Sequence, residues 1–136
     1  MSDAESFFDT SVLLYLLSAE PEKADRVEEL LEQRGVISVQ VLNEFSAVAT
    51  RKLGLSFAEI REVLGTVRTL CNTHPLAIEH YDKGIEIAER YRFSFYDSTI
   101  IASALLAGCK TLYSEDLQHR QVIDEQLTVI NPFVKA

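Results

Sequence analysis

Short apolar runs that turn at once into helix signals recur along this chain, and that alternation limits its fold more than any other feature. Ser6-Phe7-Phe8 leads into Asp9 and an apolar helical stretch, Ser11 to Ser18, which ends before Pro21 because proline disfavours helical geometry at the residue preceding it. Glu22 to Arg34 follows with Ala24, Val27, Leu30 and Leu31 on one face, and Gly35 is its expected C-terminal cap. Val36-Ile37 reads as a second buried strand, with Ser38 placed to cap a helix over Val39 to Leu53 that stops at Gly54. Ser56 and Glu59 form a capping box and Leu55 and Ile60 a hydrophobic staple, opening a helix that runs to about Cys71. Residues 72–75 read as a loop, Leu76 to Ile78 as a strand and Glu79 to Tyr91 as a helix. Ser94-Phe95-Tyr96-Asp97 opens another helix, whose stripe of Ile100, Ile101, Ala104, Leu105 and Gly108 carries Asp97 as its single charge. Thr111-Leu112-Tyr113, an acidic turn at Ser114-Glu115-Asp116 and a last strand, Leu127 to Ile130, complete the series. Strands alternating with helices imply an α/β chain, a parallel sheet of about four or five short strands covered on both faces.

The 136 residues, 47% of them hydrophobic, suit one domain spanning 1–136 with a single packed core. Met1 to Glu5 is polar and acidic and lacks the basic and apolar regions of a secretory signal, and no apolar run approaches the ~20 residues that span a bilayer. The expectation is a soluble cytoplasmic protein with no membrane partner. Cys71 and Cys109 lack partners at metal-ligand spacing and are expected to be reduced, buried small hydrophobes. A net charge of −8 argues against broad neutralisation of nucleic-acid phosphates, but leaves open an acidic site that works through a cation.

Four acids carry that possibility. Asp9, Glu44, Asp97 and Asp116 each come just after an expected strand or within the first turns of a helix. The carboxyl ends of parallel strands face one edge of a sheet, so these positions can converge there. Each also has an ordinary reading: Asp9 as an N-cap, Asp97 as the capping-box partner of Ser94, Glu44 as a solvated helix residue, Asp116 as a turn residue. Converged carboxylates repel and take up protons unless a cation is present. Hard oxygen ligands of this kind suit Mg²⁺ or Mn²⁺, which could activate a water against a phosphodiester. Competing chemistries fit less well. His74, His80 and His119 lack paired zinc spacing, and no glycine-rich phosphate loop or G-x-S-x-G elbow occurs. A haloacid-dehalogenase-like phosphatase would want an Asp where Ser11 stands, and a receiver-type site would want paired acids after the first strand.

Phe8-Asp9-Thr10-Ser11-Val12-Leu13, Val41-Leu42-Asn43-Glu44-Phe45, Phe95-Tyr96-Asp97-Ser98 and Leu112-Tyr113-Ser114-Glu115-Asp116-Leu117 together resemble, in order and spacing, the motifs of PIN-domain ribonucleases. The chain especially resembles VapC-type toxins, over Phe7 to Phe133. The resemblance implies a compact α/β/α fold and a Mg²⁺- or Mn²⁺-dependent endoribonuclease with Asp9, Glu44, Asp97 and Asp116 as its acidic quartet. It also implies support from Ser114 at the metal or water, and from Thr10 and Ser11 in ordering the first acidic turn. Implied partners are an RNA substrate such as transfer or ribosomal RNA, a cognate antitoxin and a second copy in a homodimer.

Ser11 stands where Asn is frequent in that family, and Arg120 where Gly often follows the Gln-His pair. Glu115 adjoins Asp116 and is the alternative fourth ligand. Arg51, Lys52 and Arg120 are the candidate contacts for RNA phosphate or antitoxin acid, and apolar residues between Leu55 and Cys71 are candidates for a dimer or antitoxin face. Two other readings remain: a catalytically silent PIN-like binding module, and a PIN-like nuclease acting on DNA or in RNA maturation.

Overall fold

A computed structural model of the chain describes residues 5–134, so most of the acidic Met1 to Glu5 segment lies outside the described residues. The elements are β1 (Ser6–Phe8), α1 (Thr10–Leu13), a 3₁₀ turn (Leu14–Leu17), α2 (Pro21–Glu32), β2 (Gly35–Ser38), α3 (Val39–Leu53) and α4 (Phe57–Leu70). There follow β3 (Cys71–His74), α5 (Ile78–Tyr91), α6 (Phe95–Leu106), β4 (Thr111–Tyr113), β5 (Val122–Ile123) and β6 (Leu127–Ile130). The six strands form one sheet in the order β3-β2-β1-β4-β6-β5. Every pairing is parallel except that of β5 with β6.

β1 lies in the middle of the sheet. Its Phe7 and Phe8 point to opposite faces and are both fully buried, each side chain contributing about 1.5–3 kcal/mol of burial. The chain leaves β1 in one direction to build β2 and β3, then crosses back through α5 and α6 to place β4 on β1's other side. With right-handed crossovers, α2 to α4 cover one face and α5 and α6 the other. The strand order therefore reverses between β1 and β4, and a crevice opens outside their carboxyl ends. There the Asp9 N–H donates to the Tyr113 carbonyl at 2.9 Å, and the Ser114 N–H to that of Ile130 at 3.1 Å.

The local rules explain most boundaries. Pro21 starts α2, where its missing N–H costs nothing. Ser38 caps α3 by accepting from the Val41 N–H, and Gly54 ends it at φ 67°. The Ser56–Glu59 capping box is complete. Ser98 to Leu105 of α6 are all buried, with α5 laid across them at a close approach: a Cβ on Gly84 would fall 2.8 Å from Thr99 Cγ2.

Several expectations are corrected. Residues 71–74 form a strand, pairing Cys71 with Gly35 through His74 with Ser38, whereas the expected strand at Leu76 to Ile78 is an exposed connection into α5. β3 is an edge strand in which only Cys71 is buried, so it lacks an apolar signature. Gly35 belongs to β2, where a Cβ would meet the Ser6 carbonyl oxygen at 2.6 Å, and Arg34 takes the left-handed turn after α2 at φ 65°. The helix expected over Ser11 to Ser18 is one α-helical turn followed by a 3₁₀ turn. Ile60, Leu64 and Val67 of α4 are core residues, whereas Phe57 at its start is exposed. Cys71 and Cys109 are free and buried, and burial pushes their thiols up to about 11 and about 12. Among the described residues no helix is long and apolar enough to cross a membrane.

Candidate active site

Asp9 sits where β1 turns into α1, at the N-cap position, yet its side chain makes no capping bond. It accepts hydrogen bonds from the Ser114 hydroxyl at 2.7 Å and the Ser11 hydroxyl at 3.3 Å. Only 5% of Asp9 is exposed. Burial raises its pKa to about 6, Asp116 and Asp97 push it further in the same direction, and the Ser114 hydrogen bond partly opposes them. Capping thus gives the residue its backbone geometry, and its carboxylate is left for the crevice.

The other three acids reach that crevice from three other segments, and all four line one open cleft of about 720 Å³. Glu44 comes from α3. One oxygen accepts from the Thr10 hydroxyl at 2.8 Å and the other from the Gln40 amide at 3.1 Å. Asp97 is the third residue of α6. Its N–H donates to Ser94 Oγ at 3.1 Å, but its carboxylate does not return the bond, so only half of the expected capping box forms. Asp116 follows β4. Its pKa is raised first by burial, then by Asp97, Glu115 and Glu44.

Glu115, the alternative to Asp116, is engaged elsewhere. It accepts from the Tyr15 hydroxyl at 2.7 Å and from Lys23 Nζ at 3.4 Å. Its N–H donates to Ser11 Oγ at 3.1 Å, while that of Asp116 donates to Ser114 Oγ at 3.2 Å. Thr10, Ser11 and Ser114 therefore each bond a cleft carboxylate. Arg51 and Lys52, in the last turn of α3, line the cleft as well. Arg120 does not line it; it stands on a turn at φ 73°, with its Nε 3.4 Å from His119 Nε2.

The PIN domain family matches residues 6–124. The chain belongs to the PIN-domain family. This PIN domain also superimposes on solved structures of distant sequence. The toxin–antitoxin complex from Klebsiella pneumoniae is 19% identical, with a TM-score of 0.70 over 94% of this chain and 98% of that one. The sarcin-ricin loop cleaving toxin VapC20 of Mycobacterium tuberculosis is 20% identical, with a TM-score of 0.66 over 82% and 89%. The VapBC2 complex of Rickettsia felis, bound to a promoter DNA fragment, is 15% identical, with a TM-score of 0.67 over 91% and 96%. At such identities the likeness is one of fold. No curated protein matches the sequence.

The donor set of this PIN domain fits a divalent cation. Among the described residues none of Asp9, Glu44, Asp97 and Asp116 takes part in an ion pair, so no direct ion pair relieves the burial and carboxylate repulsion that raise the pKa of Asp9 and Asp116. Among the described residues no three His, Cys, Asp or Glu side chains approach closely enough to chelate an ion together. Mg²⁺ does not need that, since it keeps several waters and commonly takes only one or two carboxylates directly. Sequence reading missed Gln40, which is buried and donates to both Glu44 and the Tyr96 carbonyl, the latter at 3.3 Å. Its position four residues before Glu44 on one helix face was the available signal.

Proposed function

We propose that this PIN domain is a divalent-metal-dependent endoribonuclease, the toxin of a toxin–antitoxin pair. The observation that carries the reading is the convergence of four carboxylates, from four segments far apart in sequence, on one cleft where, among the described residues, none of them is ion-paired. Asp9 is the central ligand for Mg²⁺ or Mn²⁺, with Asp97, Asp116 and Glu44 completing the acidic set. The bound ion would lower the pKa of an attacking water and offset charge at the scissile phosphate. Ser114 and Ser11 aim the Asp9 carboxylate, and Thr10 and Gln40 fix the two oxygens of Glu44. Arg51 and Lys52 receive the RNA backbone beside the acids. Asp116 is preferred to Glu115 as the fourth acid because Glu115 is held by Tyr15 and Lys23.

The toxin–antitoxin assignment and the choice of a structured RNA loop in transfer or ribosomal RNA draw on the Klebsiella pneumoniae complex and the sarcin-ricin loop cleaving toxin. The toxin–antitoxin complex supports a protein antitoxin as partner, and the site of action that goes with this reading is the cytoplasm. A homodimer would find exposed apolar side chains at Ile78 and Ile85 of α5.

Purified wild-type protein with Mg²⁺ or Mn²⁺ is expected to cut RNA at sites that 5′-end sequencing finds again after inducible expression. Asp9→Asn should abolish cutting with its circular dichroism unchanged. Full cleavage by that variant sinks the reading. A catalytically silent binding module is the second reading, favoured by the spacing of the acids beyond direct chelation by three. Titration calorimetry with Mn²⁺ separates the two, because the silent module would take up no metal.

A further inference from the structure

A second concavity opens on the other side of Glu44. Its volume is about 360 Å³, at the low end for pockets that hold small organic groups. Tyr81 of α5 and Phe95 and Tyr96 of α6 supply aromatic surface, at 51%, 41% and 69% exposure. The Tyr81 and Phe95 rings lie 6.0 Å apart at 60°, and those of Phe95 and Tyr96 5.7 Å apart at 66°. Tilted edge-to-face contacts of this kind leave ring faces open to solvent instead of stacking them on each other.

The polar lining has a definite character. Asn43 is exposed, and Gln40 spends its amide hydrogens on Glu44 and Tyr96 and keeps its carbonyl oxygen as an acceptor. His80 accepts the Ala77 N–H on Nδ1 at 2.9 Å, so neutral imidazole carries its proton on Nε2 as a donor. No lysine or arginine lines the pocket, and its single charge, Glu44, is the wall it shares with the acidic cleft. Such a lining repels phosphate, while it offers stacking faces and neutral donors and acceptors to a planar heterocycle.

We propose that this pocket receives one nucleobase of the RNA, the base next to the phosphodiester held in the cleft. The inference rests on the nuclease reading and adds a positioning subsite to it. The shared Glu44 sets the two cavities side by side, and a base splayed from a single-stranded loop stacks on aromatic side chains while its edges are read by amide and imidazole groups. The aliphatic Ile78 and Ile85 lie outside the pocket's lining, although they share a face of α5 with Tyr81.

The test uses full-length protein and a cleaved loop oligonucleotide found by 5′-end sequencing, together with versions in which each base flanking the cut is replaced by an abasic site. Tyr96→Ala is expected to lower kcat/KM by roughly tenfold, the size of a lost base stack, with Tyr96→Phe close to wild type and Mn²⁺ binding unchanged. One abasic position should weaken wild-type cleavage similarly and have no further effect in Tyr96→Ala. Unchanged kcat/KM in both Tyr96→Ala and Tyr81→Ala, beside active wild type and inactive Asp9→Asn, overturns the subsite and leaves the nuclease reading standing. A wild-type protein that cuts no RNA overturns both. Light scattering that shows Tyr96→Ala to change the oligomeric state, with cleavage lost in proportion, assigns the pocket to a second copy of the chain and also overturns the proposal.

Discussion

Replacing Asp9 by Asn should stabilise the metal-free protein at neutral pH, and the size of the effect follows from its burial. The folded-state pKa of Asp9 is about 6, against an ordinary value of 3.8. Between those values the folded state binds the proton more tightly than the unfolded state does, so stability falls as pH rises through that window. Above about pH 6 the buried charge costs about 3 kcal/mol, at 1.36 kcal/mol for each pH unit of separation. Asn keeps the shape and an oxygen for the Ser114 hydroxyl but carries no charge. In EDTA at pH 7.5, Asp9→Asn should therefore melt roughly 6–12 °C above wild type, taking about 2–4 °C for each kcal/mol in a domain near this size. The gap should close as pH falls towards 4, where wild-type Asp9 is neutral in both states. Mg²⁺ should raise the wild-type midpoint more than that of the variant, because only wild type brings the full charge that the ion neutralises. Thermal melts by circular dichroism from pH 4 to 8, with EDTA or Mg²⁺, measure all three trends. A variant that melts below wild type at pH 7.5 without metal would refute the reasoning and return Asp9 to a structural role.

Gln40→Ala removes the donor that holds Glu44 against the first turn of α6; cleavage should fall roughly tenfold to a hundredfold, as for lost outer partners of metal ligands, with the circular dichroism spectrum unchanged. Ser114→Ala takes away the hydroxyl that opposes the upward shift of Asp9. Ionised Asp9 then requires a higher pH, so the acid limb of the pH–rate profile should move upward, and a limb that stays in place would count against Asp9 as its source. Joint replacement of Arg51 and Lys52 by Ala should weaken RNA binding at low salt and flatten its salt dependence by about two phosphate contacts, read by fluorescence anisotropy, while Mn²⁺ affinity is unaffected.

What was legible in the sequence was whatever depends on short-range chemistry. β1, α3 and α6 are signalled by apolar runs buried on both sides and by Ser38 and Ser94 as caps. β3 was hidden because an edge strand with Asn72, Thr73 and His74 needs no hydrophobic pattern, its partner being the backbone of β2. β5 was hidden because its turn places Asp124 and Glu125 at φ 51° and 57°, where Asn or Gly would have announced it. The Asp124 carboxylate is instead held by Lys83, Arg90 and Tyr91 of α5, a tertiary cause with no local trace. The four acids could be picked out because each sits where a strand ends or a helix begins. The bonds from Thr10 to Glu44 and from Ser114 to Asp9 span 34 and 105 residues, and only the fold brings those partners together. Arg120 looked close to Asp116 in sequence, but a left-handed turn carries it away from the cleft.

The hydroxyls of Ser11 and Ser114 impose a polarity on the whole edge of the sheet. Each has one proton, and both give it to the same Asp9 oxygen, so their lone pairs remain to receive the Glu115 and Asp116 amides. Backbone amides cannot accept in return, which makes the direction of every bond in this chain follow from the negative charge on Asp9. A proton on that carboxylate turns two charge-assisted bonds into weaker neutral ones, loosening the hold on the loop that carries Asp116. The first of the four cleft acids thereby bears on the seat of the last, more than a hundred positions away.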